Sequence, residues 1–147
     1  MPDNLMLFLL GEPGLGKSYI SQAIAKALGR GFHVVSMNGK KEASIVYGTD
    51  ISNPGSEPGE IVKAISRRED AACVILFDEL EKAGKDAKRA LGNPTDRTFA
   101  KSFKDDFFDF PTPCDNLTFI GTGNYPEDLP DFVGDRFRKV NFKPLNY

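Results

Sequence analysis

A three-layer α/β domain on a mainly parallel five-stranded sheet is what this 147-residue chain predicts. Short apolar runs alternate with helix-period segments. The runs are continuous rather than alternating, as strands buried on both faces should be. Glycine-rich or acidic turns close several of them. Leu5 to Leu10 is the first strand, ending at Gly11. Lys17 to Leu28 follows as a helix, with Ile20, Ala23, Ile24, Ala27 and Leu28 at helical spacing and Gly29 at the C-cap. Phe32 to Met37 reads as a second strand, and residues 38–59 as a Gly-, Pro- and Ser-rich loop whose length suggests a functional role. Glu60 to Arg68 is a short helix with Ile61, Ala64 and Ile65 on one side. Cys73 to Phe77 is a strand running into Asp78 and Glu79, and Glu81 to Leu91 is predicted helical despite Gly84. Residues 92–116 read as loop with one short hairpin. Leu117 to Thr122 and Lys139 to Phe142 complete the strands.

Composition bounds the function. Hydrophobic residues are 40% and charged residues 27%, enough for one domain with a core. Nineteen Lys and Arg against twenty-one Asp and Glu give a net charge of -2, which argues against a dedicated nucleic-acid or anionic-membrane binder. Cys73 and Cys114 suit neither a disulfide framework nor a zinc motif. They read as small buried hydrophobes in a reducing compartment. No apolar run reaches the roughly 18 residues of a membrane span. Leu5 to Leu10 is too short for a signal peptide. The expected location is cytoplasmic.

Gly11-Glu12-Pro13-Gly14-Leu15-Gly16-Lys17-Ser18 matches G-x-x-x-x-G-K-[ST] at every specified position, between a strand and a helix as the pattern requires. Such a loop turns backbone N–H groups around a phosphate and adds the positive end of the helix. Lys17 can reach the β- and γ-phosphates and the Ser18 hydroxyl can ligate magnesium. Glu12 contributes backbone, its carboxylate facing water. The predicted nucleotide-binding stretch runs from Gly11 to Tyr19, and the fold becomes that of a P-loop NTPase.

Asp78 and Glu79 end an apolar strand. One carboxylate there can hold the metal and the next can polarise an attacking water. Taken alone, such a pair is a helix N-terminus; following a phosphate loop, the catalytic reading prevails. Asn124, just past a strand, reads either as an amide orienting the lytic water or as the turn residue of Gly-Asn-Tyr-Pro. Arg136 and Arg138 suit phosphoryl charge, or else a surface ion pair with Asp131 or Asp135.

In this order, the phosphate loop, acidic strand end, polar strand end and late arginine resemble an AAA+ ATPase large subdomain. Ser36-Met37-Asn38-Gly39, Glu42-Ala43-Ser44-Ile45, Phe103-Lys104-Asp105-Asp106-Phe107-Phe108-Asp109, Thr122-Gly123-Asn124 and Asp135-Arg136-Phe137 are similar to the ATPase module of Lon-type proteases. The resemblance implies ATP and magnesium as ligands. Lys17 and Ser18 would bind phosphates and metal, Asp78 would hold the metal, Glu79 would activate water and Asn124 would be the first sensor. Arg136, with Arg138 as the fallback, would act in trans in a ring of typically six subunits working on protein substrates. Residues 1–147 read as one such core, with the small helical lid and the proteolytic domain expected to be absent. The chain departs from Lon at the pore loop, where an aromatic and a small apolar residue give way to Asn53-Pro54-Gly55, and the nearest aromatic is Tyr47.

Two alternatives belong to other classes. A viral-type helicase core also pairs a phosphate loop with an acidic strand end, but the near-neutral charge opposes it. A non-hydrolysing nucleotide switch would not need both Asp78 and Glu79. The basic residues between Lys82 and Lys104 are interrupted by Asp86 and Asp96 and read as a solvated face. Phe99, Phe103, Phe107, Phe108 and Phe110 suit core or subunit packing, and His33, the single histidine, a structural position.

Overall fold

The structure, a computed structural model, describes residues 5–143. The elements are β1 (Met6–Leu10), α1 (Lys17–Leu28), β2 (Phe32–Ser36), α2 (Ser44–Tyr47), α3 (Glu60–Arg68), β3 (Val74–Asp78), α4 (Lys85–Ala90), α5 (Arg97–Ala100), β4 (Thr118–Gly123), α6 (Asp131–Arg136) and β5 (Arg138–Asn141), with 3-10 turns at Leu80–Lys82 and Pro126–Asp128. The sheet order is β2-β3-β4-β1-β5, and every neighbouring pair is parallel. All strands therefore end on one edge. The expected α/β architecture is what the chain adopts.

The period-2 side-chain alternation of each strand divides the core between two faces. Phe8, Leu10, Phe77 and Phe119 enter the larger cluster, beneath α2 to α4, while Leu9, Leu76 and Ile120 pack with Ala25 of α1 on the other face. The helical stripe expected on α1 is displaced. Ser21 and Ala25 are its buried residues, with Ile24 packed beside them, whereas Ile20 and Leu28 are exposed. Ser21 can face the sheet because its hydroxyl donates to the Lys17 carbonyl at 2.9 Å. Cys73 and Cys114 are free and buried, and His33 is buried against Glu60 at 2.9 Å.

Other departures have local causes. The helix expected over Glu81 to Leu91 is split, because Gly84 takes extended backbone and its N–H is donated to the Lys40 carbonyl at 2.7 Å. The 38–59 loop contains the single turn α2. Within 92–116, Asp96 caps α5 by accepting from the Thr98 and Phe99 amides, and the hairpin reduces to one antiparallel bridge, Lys104 to Pro111. Of the aromatic cluster only Phe103 joins the core. Phe107, half-buried, meets Phe108 edge-on, and Phe108 meets Phe110 at a tilt, both of these exposed. No helix among the described residues is long and apolar enough to cross a membrane.

Candidate active site

The ends of β1, β3 and β4 meet at one edge of the sheet and build a cleft of about 320 Å³. β1 delivers the glycine loop. Gly11 has φ +154°, and a Cβ there would lie 2.8 Å from the Phe142 carbonyl oxygen, so only glycine lets the loop leave the strand along this path. Gly16 is the N-cap of α1 and no side chain caps the helix, which leaves its first-turn N–H groups for a ligand. Pro13, Gly14, Gly16, Lys17, Ser18 and Tyr19 line the cleft from this side. Glu12 is exposed, as expected, and Leu15 is half-buried under the loop.

Lys17 crosses the cleft floor. Its Nζ donates to the Gly11 carbonyl and to Asn124 Oδ1 at 3.0 Å, and lies 3.4 Å from the Gly123 carbonyl. Burial lowers its pKa from the ordinary lysine value, opposed by the negative charges of Glu81, Asp78 and Glu79.

β3 and β4 are joined at their ends by Thr122, whose side chain is buried. The Thr122 hydroxyl donates to Asp78 Oδ1 and accepts the Glu79 N–H at 3.1 Å. Glu79 sits in the left-handed region with φ +56°, a backbone state disfavoured for a non-glycine residue and typical of functional turns. Glu79 lines the cleft, and its carboxylate pairs with Lys82 at 3.1 Å.

The residues present fit a magnesium–nucleotide pair. Among the described residues no group of three or more His, Cys, Asp or Glu side chains forms a metal cage. Magnesium does not require one: it keeps several waters and is held by one or two protein oxygens together with phosphates. Ser18 and Asp78 offer a hydroxyl and a carboxylate in the same cleft.

The structure thus gathers Lys17, Ser18, Asp78, Glu79 and Asn124. Arg136 lies elsewhere, in a separate cleft with Met6, Thr95 and Asp96. Its guanidinium donates to the Gly92 carbonyl and to Thr95 Oγ1 at 3.0 Å, approaches Asp96 at 3.5 Å, and stacks over Phe132 at 5.2 Å. The ion pair is with Asp96 rather than Asp131 or Asp135, which stand five and one residues away along α6, spacings that do not bring side chains together. Arg138 is exposed on β5. Tyr47, stacked on Phe103 at 5.4 Å, is committed to packing, and Ile51 is the exposed apolar side chain of the following loop.

Thr122 and Glu81 are site residues that the sequence reading did not single out. Thr122 carried a usable signal, as a hydroxyl at a strand end beside two acidic positions. Glu81 carried none, reading as one more charge on a helix.

The family model for the ATPase family associated with various cellular activities (AAA) matches residues 7–145. Curated relatives include the Lon protease of Leptospira interrogans, 34% identical over 140 residues, which cover 92% of this chain and 17% of that protein. Lon protease homolog, mitochondrial 1, of Dictyostelium discoideum is 36% identical over 139 residues, covering 92% and 14%. The chain spans less than a fifth of the length of these relatives. A closed-state cryo-EM reconstruction of Hsp104 shares the fold, with a TM-score of 0.68 and 22% identity over 83% of this chain and 21% of that one. Because the AAA family model spans nearly the whole chain, from the first strand through the glycine loop and the acidic strand end, the chain belongs to the AAA family of ATPases.

Proposed function

We propose that the chain binds ATP with magnesium in the cleft at the β1, β3 and β4 ends and hydrolyses it, to drive remodelling of protein substrates within a ring of subunits. One observation carries this reading, the convergence of these groups on the end of β4: Asn124 is hydrogen-bonded to Lys17 of the glycine loop, and Thr122, two residues earlier, is bonded to both Asp78 and Glu79.

Each group has a role set by its chemistry. The loop amides and the Lys17 ammonium bind the phosphate chain, which is mainly positioning and charge stabilisation. Ser18 and Asp78 would hold magnesium, which when bound neutralises phosphate charge. Glu79 takes the proton of the attacking water, and Asn124 holds that water or the γ-phosphate in line. Arg136 lies outside its own subunit's cleft, which favours action on a neighbour's ATP once it leaves Asp96. The protein substrate is supported by the Lon protease relatives and by the Hsp104 reconstruction, which was made with ATPγS and FITC casein, and the ring by the place of Arg136 outside the cleft.

The test is the magnesium-dependent ATP hydrolysis rate per subunit across a wide range of protein concentration, with Glu79→Gln as control. A rate that climbs with concentration and vanishes in the control is expected. A rate that persists unchanged in Glu79→Gln would remove Glu79 from the chemistry, and no rate at any concentration would reject hydrolysis.

A further inference from the structure

We propose that Glu81 is a positioning residue of this cleft, fixing Asn124 from behind and, through Asn124, the ammonium of Lys17. The inference rests on the ATPase reading above and adds to it a residue outside the nucleotide-lining set.

The sheet ladder ends where Asn124 begins. β1 pairs with β4 as far as Leu10 and Gly123, and the Gly11 N–H is donated to the Gly123 carbonyl at 3.2 Å. One residue on, the Asn124 N–H needs another acceptor, and Glu81 Oε1 supplies it at 3.1 Å from the 3-10 turn Leu80–Lys82. The Asn124 side chain is then aimed at Lys17, accepting from Nζ at 3.0 Å.

Two features show that this contact is built in. Glu81 Oε2 is buried and has no hydrogen-bond partner among the described residues, a costly arrangement for an oxygen that contributes only to packing. Gly123 also makes room for it. A Cβ at Gly123 would lie 2.7 Å from Glu81 Oε2, and the Gly123 backbone is not left-handed, so the missing side chain is a matter of space. Glu81 is moreover the first among the negative charges acting on Lys17.

The experiment is a double-mutant cycle on the 147-residue chain with Glu81→Ala, Glu81→Gln, Asn124→Ala and the Glu81→Ala/Asn124→Ala pair. It reads kcat and KM for magnesium-ATP, and amide hydrogen exchange at Asn124 without nucleotide. Glu81→Ala is expected to lower kcat about tenfold with KM little changed, as one lost charge-assisted hydrogen bond implies. The pair should be no slower than Asn124→Ala alone, because both act through one group. Glu81→Gln, whose amide oxygen still accepts, should recover most of the loss. Exchange should accelerate at Asn124 and not along the rest of β4. Multiplying effects in the pair, an unaltered Asn124 exchange rate, or a Glu81→Ala protein as fast as wild type would overturn the assignment. Wild-type protein without turnover would instead reject the ATPase reading itself, a separate result.

Discussion

Thr122→Val is the most informative single substitution, because one hydroxyl links both acidic residues of the site. Thr122 is 1% exposed, and valine matches its shape while removing the donor to Asp78 and the acceptor for the Glu79 N–H. A hydrogen bond to a charged group contributes about 1.5–3 kcal/mol and a neutral one about 0.5–1.5 kcal/mol. The second bond also offsets the left-handed backbone of Glu79, a state that costs about 1–3 kcal/mol. Both bonds are only partly buried, so the lower half of the sum applies, about 2–3 kcal/mol lost. Thr122→Ser keeps the hydroxyl and loses one methyl, at about 1 kcal/mol. Urea unfolding should rank wild type above Ser above Val. ATP hydrolysis should fall at least tenfold in Val, since a shift of about 1.4 kcal/mol in the barrier suffices, and should stay near wild type in Ser. A Thr122→Val protein that unfolds at the wild-type midpoint and hydrolyses at the wild-type rate would refute the reasoning.

Asp105 gives a pH signature. Its carboxylate is fully buried and accepts the Gly59 and Phe107 N–H groups at 2.8 Å each. Burial raises its pKa above the ordinary aspartate value, more than those bonds lower it. The native state therefore holds the proton more tightly than the unfolded chain, and stability falls as pH rises from the ordinary value through the raised one. Unfolding free energies taken across the acid range should show this slope in wild type and lose it in Asp105→Asn; equal slopes would contradict it. Arg136→Ala should cost about 1–2 kcal/mol, through loss of the Gly92, Thr95 and Asp96 contacts that tie α6 to the loop before α5. Arg136→Lys should not recover it, because an ammonium cannot reproduce the fork. A thermal melt unchanged in Arg136→Ala would show that the cradle contributes nothing.

The parts of this fold that can be read in the sequence are those dictated over a short span. The runs of β1, β3 and β4 are continuous and apolar because both sheet faces are covered, and the glycine loop is specified by spacing alone. Lys17 and Ser18 follow from the spacing of that loop, and Asp78, Glu79 and Asn124 from position at or just past strand ends, since parallel strands bring their C-termini to one edge. What escaped is non-local or very short. α2, α5 and α6 are too brief for the helical period to repeat, although Asp96 two residues before Thr98 was a readable N-cap. The break at Gly84 depends on Lys40, and the roles of Thr122 and Glu81 depend on partners more than forty residues away along the chain. The α1 stripe differs from the expected one because Ser21, polar by type, satisfies its own hydroxyl within the helix and can be buried. Arg136 found Asp96 for the same kind of reason, through a contact between elements distant in sequence.

Separating binding from turnover tests the central claim most directly. Equilibrium titration of a fluorescent ATP analogue with magnesium, beside hydrolysis on the same samples, would compare wild type with Lys17→Ala and Glu79→Gln. The account predicts that Glu79→Gln binds as wild type does and turns over nothing, while Lys17→Ala loses binding. Undiminished binding by Lys17→Ala, or undiminished turnover by Glu79→Gln, would contradict it.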